Sequence, residues 1–162
     1  MDGRAVMSDT AVELDFAGGR FRFWLPLPQI FAIERGPLAH KHDGYPRSIF
    51  AMYDAISGGL GVSEDGPVYM GGATALVGDI RNIILQGLIG GGGGSIDGDS
   101  IAVTPQIASE LVSQYVYPAD GLSQAMHLSW LILNAAINGI SLKKKPATPA
   151  ARKPRKRSPK VS

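Results

Sequence analysis

The sequence predicts an α+β fold in which an N-terminal β-hairpin is followed by about five helices. Two short runs of alternating apolar and polar residues flank a glycine-containing turn near the N-terminus, which is typical of a hairpin. Farther along the chain, apolar residues recur at intervals of three and four, as on one face of a helix. Glycine and proline interrupt these stretches and separate each predicted helix from the next.

The predicted hairpin lies at the start of the ordered chain. Residues 12–16 alternate apolar with acidic side chains, and residues 20–23 alternate arginine with phenylalanine. The sequence Ala17-Gly18-Gly19 between them suits a tight turn. Because proline has no backbone N–H to donate, Pro26 and Pro28 predict that the second strand ends near Leu25.

Two helices are predicted next. The first begins at Pro28, since proline suits the first turn of a helix, and Gly36 ends it. The second has Ser48 as its N-cap and runs through Ser57. Isoleucine, methionine and tyrosine at helical spacing give this second helix an apolar face.

Three further helices follow in the second half of the chain. The third spans about residues 74–88 and carries a broad apolar stripe. Thr104-Pro105 predicts the start of the fourth, with an N-cap threonine and a proline at the first helical position. The fifth spans about residues 120–138. Because it is apolar on most sides, we expect it at the centre of the core or at a subunit interface.

Two glycine-rich stretches connect these helices. Residues 58–73 predict no regular element beyond a brief extended segment at 68–70. Residues 90–94 end the third helix, and their glycines predict a flexible link to the chain that follows.

The two ends of the chain differ from its middle. Residues 1–10 are polar and predict a disordered lead-in. Residues 143–162 are almost entirely Lys, Arg, Pro, Ala and Ser. Too few of them are apolar for burial to offset the entropy lost on ordering, so this segment is predicted to be a disordered basic tail. We therefore expect one globular domain over residues 11–142.

The net charge of +2 conceals a division between the domain and the tail. Nine of the 16 Lys and Arg residues lie in 143–162, which holds no acid, so residues 1–142 carry seven basic against 14 acidic residues, a net charge of −7. The tail binds nucleic acid or an acidic protein surface by Coulomb attraction, stays solvated, or folds back loosely on the acidic domain. Its lack of aromatic residues gives no support to base stacking. The candidate binding residues are Lys143, Lys144, Lys145, Arg152, Lys153, Arg155, Lys156 and Arg157.

The residue inventory predicts a protein that is not an enzyme and that has no cofactor and no metal site. The chain has no cysteine, which excludes thiolate nucleophiles and cysteine-ligated metals. His40 and His42 lack a neighbouring carboxylate pattern that would complete a metal site, and we expect His127 to be packed in the core or an interface. We interpret Asp97-Gly98-Asp99 as a turn, because it lacks the later ligands of a calcium loop. The glycines at 90–94 follow a helix, whereas a phosphate-binding loop precedes one.

No membrane span is expected. The longest uncharged stretch, residues 121–142, contains Gln124, His127, Asn134 and Asn138, and polar side chains are costly in hydrocarbon. The N-terminus has no apolar run of the kind that marks a signal peptide.

One longer pattern is more specific than these single elements. Residues 79–92, DIRNIILQGLIGGG, form a predicted helix that ends in a glycine run. The two hairpin strands lie upstream of it, and a Thr-capped helix, a Tyr-Val stretch at 114–117 and the apolar last helix lie downstream. As a set, these features resemble the tail protein family of gene transfer agents over roughly residues 11–140.

The resemblance implies a non-enzymatic role in tail morphogenesis. Members of the family are described as tail assembly chaperones or as tail tube proteins. A chaperone would bind the tape-measure protein, whereas a tube subunit would join further copies of itself or the tail tube protein. The place of action implied is the cytoplasm of a bacterial cell, or the tail of the particle for a tube subunit. The third alternative is a nucleic-acid-binding protein that acts through the basic tail.

An apolar stripe on the last helix is the candidate surface for contact with a partner. It comprises Leu128, Trp130, Leu131 and Ile132, together with Tyr115. The alternative is that the same residues simply pack in the core of the domain.

Overall fold

The computed structural model describes residues 9–37 and 46–140, which form two antiparallel sheets and five α-helices. In chain order the elements are β1 (Val12–Phe16), β2 (Gly19–Phe23), α1 (Leu27–Arg35), α2 (Ile49–Ser57), β3 (Leu60–Ser63), β4 (Gly66–Tyr69), α3 (Val77–Gly91), β5 (Gly93–Ile96), β6 (Asp99–Ala102), α4 (Pro105–Gln114) and α5 (Leu122–Asn138). A π-helical segment, Tyr115–Ala119, joins α4 to α5. The predicted α+β class, with its N-terminal hairpin, is confirmed.

The N-terminal hairpin forms where the alternating pattern predicts it. β1 and β2 pair antiparallel, with Leu14 opposite Phe21 and Phe16 opposite Gly19. Ala17 and Gly18 both have positive φ, 54° and 76°, as a two-residue turn of this hand requires. Glycine adopts this conformation without steric cost, which explains the composition of the turn.

A second hairpin completes the larger sheet and was not predicted. β5 pairs with β2, with Phe21 opposite Gly94, and β6 pairs with β5, so the strand order is β1-β2-β5-β6. The prediction that residues 90–94 form a flexible link is therefore wrong, because these glycines end α3 and begin β5. Asp97-Gly98 forms the predicted turn, here the tip of the new hairpin.

The glycine-rich stretch 58–73 also holds more structure than its sequence indicates. β3 and β4 form a separate two-stranded sheet with Leu60 opposite Tyr69, whereas only a brief extended segment was expected. This small sheet packs against α5.

The starts of α2 and α4 follow from their capping residues. The Ser48 Oγ accepts a hydrogen bond from Phe50 N at 3.0 Å, and the Thr104 Oγ1 accepts one from Ile107 N at 3.2 Å. Both N-caps are as predicted. α3 begins at Val77 rather than near residue 74 and ends at Gly91, where Gly92 takes the left-handed conformation at φ 73°.

The hydrophobic core forms around α3, which packs against β2, α1, α4 and α5. Three phenylalanines of the hairpin reach it: Phe16 meets Phe21 and Phe23 edge to face, with ring centroids 5.9 and 5.8 Å apart. Phe21 and Phe23 are fully buried, and each contributes about 2–3 kcal/mol through removal of apolar surface from water. α5 also packs against α3, and its buried side chains join the same core.

The glycines at the end of α3 allow the helix to lie directly on the backbone of β2. Trp24 N donates a hydrogen bond to Gly87 O at 3.0 Å, which ties the end of the strand to the helix. A Cβ at Gly90 would overlap Trp24 O, and a Cβ at Gly91 would overlap Arg22 O. Both obstacles are backbone atoms, so no rotation of a side chain can relieve them.

The predicted disordered tail, residues 143–162, lies outside the described residues, as does most of the predicted lead-in at 1–10. Two lead-in residues, Asp9 and Thr10, are described. Asp9 forms an ion pair with Arg22 on β2, and its Oδ1 accepts a hydrogen bond from Ala11 N at 3.1 Å. The described part of the chain therefore begins with an acidic residue held against the sheet.

We predict that Gly91→Ala destabilises the fold by about 3 kcal/mol, since the new methyl group would force α3 away from β2. Gly78→Ala is the matched control, because Gly78 lies in the same helix with nothing within 4 Å of the added Cβ. It should be neutral or stabilise by up to about 1 kcal/mol. Urea unfolding followed by circular dichroism measures both. Equal midpoints for the two variants would contradict the close approach.

Candidate protein-binding groove

A groove of about 330 Å³ opens between β1 and α5. The groove, here called the β1–α5 groove, lies beside an edge strand, since β1 is the outer strand of the four-stranded sheet. The π-helical segment contributes Tyr115 and Val116 to its lining, and β4 of the small sheet contributes Pro67. Its lining is Glu13, Leu14, Asp15, Phe16, Arg20, Pro67, Ile84, Tyr115, Val116, Asp120, Gln124, Ala125, His127, Leu128 and Leu131.

The α5 wall of the groove follows from helical spacing. Gln124, His127, Leu128 and Leu131 are three or four positions apart, so they share one face of the helix. Met126 and Ser129, which lie between them in the sequence, are buried on the core side of the helix. An apolar helix that is buried on one side thus presents a second, partly apolar side to the groove.

Apolar side chains line most of the groove between its walls. Leu14 and Phe16 come from β1, and Tyr115 packs its ring edge to face with Phe16 at a centroid distance of 6.2 Å. Leu128 and Leu131 complete this surface from α5. They are half-buried, which leaves apolar area for a partner to cover.

The charge of the groove is predominantly acidic. Glu13, Asp15 and Asp120 line it, and Arg20 is the only Lys or Arg among the lining residues that the structure describes. Arg20 Nη1 contacts Asp15 Oδ1 at 2.9 Å, but the two side chains are 56% and 87% exposed. Water screens a pair this exposed, so it contributes little to stability and can exchange partners. A ligand with positive charge beside an apolar surface would complement the site.

The structure divides the stripe of five candidate contact residues among three environments. Tyr115, Leu128 and Leu131 line the β1–α5 groove together. Ile132 is 2% exposed and belongs to the core. Trp130 lies on another side of α5, stacked on Tyr53 of α2 at a centroid distance of 5.8 Å. The five residues do not form one surface, because α5 turns by about 100° per residue.

Trp130 belongs to a polar network between α2 and α5 that the sequence did not reveal. Its Nε1 donates to Ser57 Oγ at 2.8 Å. The Tyr53 hydroxyl donates to Asn134 Oδ1 at 2.7 Å, and Asn138 Nδ2 donates to the same oxygen at 2.7 Å. The asparagines, which count against a membrane span in the sequence, here join α5 to α2.

The acidic residues of the groove were also missed by sequence reasoning. Glu13 and Asp15 appear in the sequence as the polar half of an alternating strand, and Asp120 as a residue before a helix. Nothing in the sequence indicates that Asp120 lies near Glu13 and Asp15, because more than 100 residues separate it from them along the chain. Only the packing of β1 beside α5 brings them together.

Other residues considered in the sequence have plainer positions. His127 is half-buried and lines the groove. His40, His42 and the basic tail residues lie outside the described residues. Within 9–37 and 46–140, no three acidic or histidine side chains cluster in a way that could hold a metal ion.

We predict that Ile132→Ala costs about 2–4 kcal/mol, because it would leave a cavity in the core. Leu131→Ala, the matched change one residue earlier, should cost about 1 kcal/mol, since Leu131 faces the groove. Chemical denaturation of both variants measures the difference. Equal losses would mean that the groove wall is packed as tightly as the core.

Comparison with models of known protein families, with curated proteins and with solved structures found no significant match. The longest described helix, α5, has 17 residues, and no helix in the described ranges combines the length and hydropathy needed to cross a bilayer. What can be said of function therefore depends on the residues and surfaces of this chain itself.

Proposed function

We propose that this chain is a non-enzymatic tail morphogenesis protein of a gene transfer agent or prophage-like particle, and that it acts as a tail assembly chaperone on the tape-measure protein. The observation that carries the proposal is the β1–α5 groove, an open apolar surface with acidic residues around it. The resemblance of residues 79–92 and their flanking elements to the gene transfer agent tail proteins supplies the biological setting.

The groove suits an amphipathic helix. Leu128 and Leu131, three residues apart on α5, and Tyr115 of the π-helical segment offer apolar contacts, and a partner helix can place its own apolar stripe against them. Glu13 and Asp120 favour a partner with Lys or Arg beside that stripe. A long helical protein awaiting assembly exposes such stripes, and covering them prevents non-specific association.

The structural tail tube component is the alternative within the same setting, and it has an observation in its favour. β1 and β6 are the two edge strands of the four-stranded sheet. Edge strands present unpaired backbone groups, and pairing β1 of one copy with β6 of the next would be a head-to-tail contact that can close into a ring. This alternative predicts homo-oligomers in solution and the protein in the particle tail. The chaperone predicts binding in the bacterial cytoplasm and no protein in the finished particle.

We predict that the full-length chain binds a tape-measure fragment of the same particle, and that the double substitution Leu128→Ala with Leu131→Ala weakens binding at least tenfold. The two leucines supply much of the apolar wall of the groove, and truncating both removes the apolar area that a partner would bury there. Isothermal titration calorimetry against overlapping tape-measure fragments gives the affinities.

Leu122→Ala is the matched control for this measurement. Leu122 is a leucine of the same helix that is 40% exposed and does not line the groove. It should leave the affinity within about twofold. Equal weakening by the control and the double variant would remove the groove from the interaction. Rings or tubes of the pure protein under electron microscopy, with no tape-measure binding, would favour the tube subunit instead.

The nucleic-acid alternative rests on the tail, and it has its own prediction. If the tail carries this activity, deletion of residues 143–162 should abolish binding to a labelled DNA duplex, because the remaining chain has a net charge of −7. Fluorescence anisotropy at several salt concentrations, with and without the deletion, measures it. Binding that survives the deletion, or that does not weaken as salt rises, would exclude the tail as the nucleic-acid site.

A further inference from the structure

A second cavity, of about 420 Å³, lies between the end of α1, the first half of α3 and α4. It shares no lining residue with the β1–α5 groove. We call it the arginine cavity. Its lining residues are Ala32, Arg35, Gly36, Pro37, Gly78, Arg81, Asn82, Leu85, Gln86, Ser109, Val112 and Ser113.

The arginine cavity is cationic within an acidic domain. Arg35 and Arg81 line it, and none of its lining residues within 9–37 and 46–140 is acidic. Within the described ranges, no ion pair joins either arginine to a carboxylate. Asp79, the nearest acid in sequence to Arg81, contacts Arg47 Nε at 3.4 Å and does not line the cavity. Two guanidinium groups without a described counter-charge therefore flank one cavity.

A buried amide supplies an independent observation. Asn82 is 6% exposed and lines the arginine cavity. Its Oδ1 accepts a hydrogen bond from Gln86 Nε2 at 3.3 Å, but its Nδ2 has no acceptor among the described residues. A buried donor left without an acceptor is unfavourable, and such groups in folded proteins call for a partner. Because two arginines line the same cavity, the acceptor that best suits this N–H donor is an anion.

The remaining wall limits what kind of anion fits. Ala32, Leu85 and Val112 give the cavity an apolar side, and Ser109 and Ser113 place hydroxyl groups at its α4 side. A bare inorganic ion would leave the apolar side uncovered. An anionic head group on a short aliphatic chain would satisfy both sides, and the cavity volume is in the range of small-ligand sites.

We propose that the arginine cavity binds a small amphipathic anion, with a carboxylate or phosphate head group near Arg35, Arg81 and Asn82 and a short aliphatic chain against Leu85 and Val112. The site is independent of the proposed role of the β1–α5 groove. The head group forms charge-assisted hydrogen bonds to the two guanidinium groups, and its approach gives Asn82 Nδ2 an acceptor. The chain length is limited by the cavity volume to a few carbons.

The test is a titration of the ¹⁵N-labelled full-length chain, at constant ionic strength, with hexanoate, hexyl phosphate and the uncharged hexanol. We expect saturable shifts of the Asn82 side-chain NH₂ signal and of the Ser109 and Ser113 backbone amides with one or both anions. The affinity for the better anion should exceed that for hexanol at least tenfold, and the better anion identifies the head group.

Variants separate specific binding from general attraction. Arg81→Gln should weaken binding of the better anion about tenfold, and Asn82→Asp should abolish it by placing a carboxylate in the wall. Arg20→Gln is the matched control, since Arg20 lies on β2 outside this cavity and should leave the affinity unchanged. Thermal melts report whether each variant is folded. If Asn82→Asp does not fold, Arg81→Gln still tests the proposal, because Arg81 is only half-buried. Absence of saturable shifts, equal affinity for hexanol, or equal effects of Arg81→Gln and Arg20→Gln would overturn the proposal.

Discussion

The close approach of α3 to the backbone of β2 is the constraint on which the rest of the structure depends. Gly90 and Gly91 have no side chains, so the helix can lie against the carbonyl oxygens of Arg22 and Trp24. The hydrogen bond from Trp24 N to Gly87 O fixes the same contact. Because α3 ends there, the chain turns at Gly92 and enters the sheet beside β2 as β5. Larger side chains at Gly90 and Gly91 would separate α3 from β2, and β5 could then no longer pair with β2.

Both candidate surfaces follow from this central placement of α3. Ile84 on one side of α3 contributes to the β1–α5 groove, whereas Arg81, Asn82 and Leu85 on another side line the arginine cavity. α5 covers the helix on the first side, and α1 and α4 cover it on the second. Each surface is therefore assembled from elements that are distant in sequence and that meet only because they pack against one helix.

The two surfaces are opposite in charge and suit different ligands. The β1–α5 groove is mainly acidic and open along an edge strand, which suits an extended protein segment with basic residues beside an apolar stripe. The described lining of the arginine cavity has two cations and no acidic residue, and the cavity volume suits a small molecule. Asp79, buried near the start of α3, contacts the partly exposed Arg47 and does not line the cavity. Charge is therefore distributed unevenly within the domain itself, just as it is between the acidic domain and the basic tail.

Local sequence determined the elements whose cause is local. Alternation fixed β1 and β2, and the caps Ser48 and Thr104 fixed the starts of α2 and α4, because these features act between neighbouring residues. The tertiary structure decided what depends on distant contacts. Glycines that would be flexible in isolation became the contact between α3 and β2 and the strand β5. The tertiary structure also decided which side of α5 packs in the core, which side joins the polar network with α2, and which side lines the groove. A helix that is apolar on most sides carries no local signal of its orientation. The acidic groove and the arginine cavity arise from residues far apart in the chain, so no spacing in the sequence could predict them.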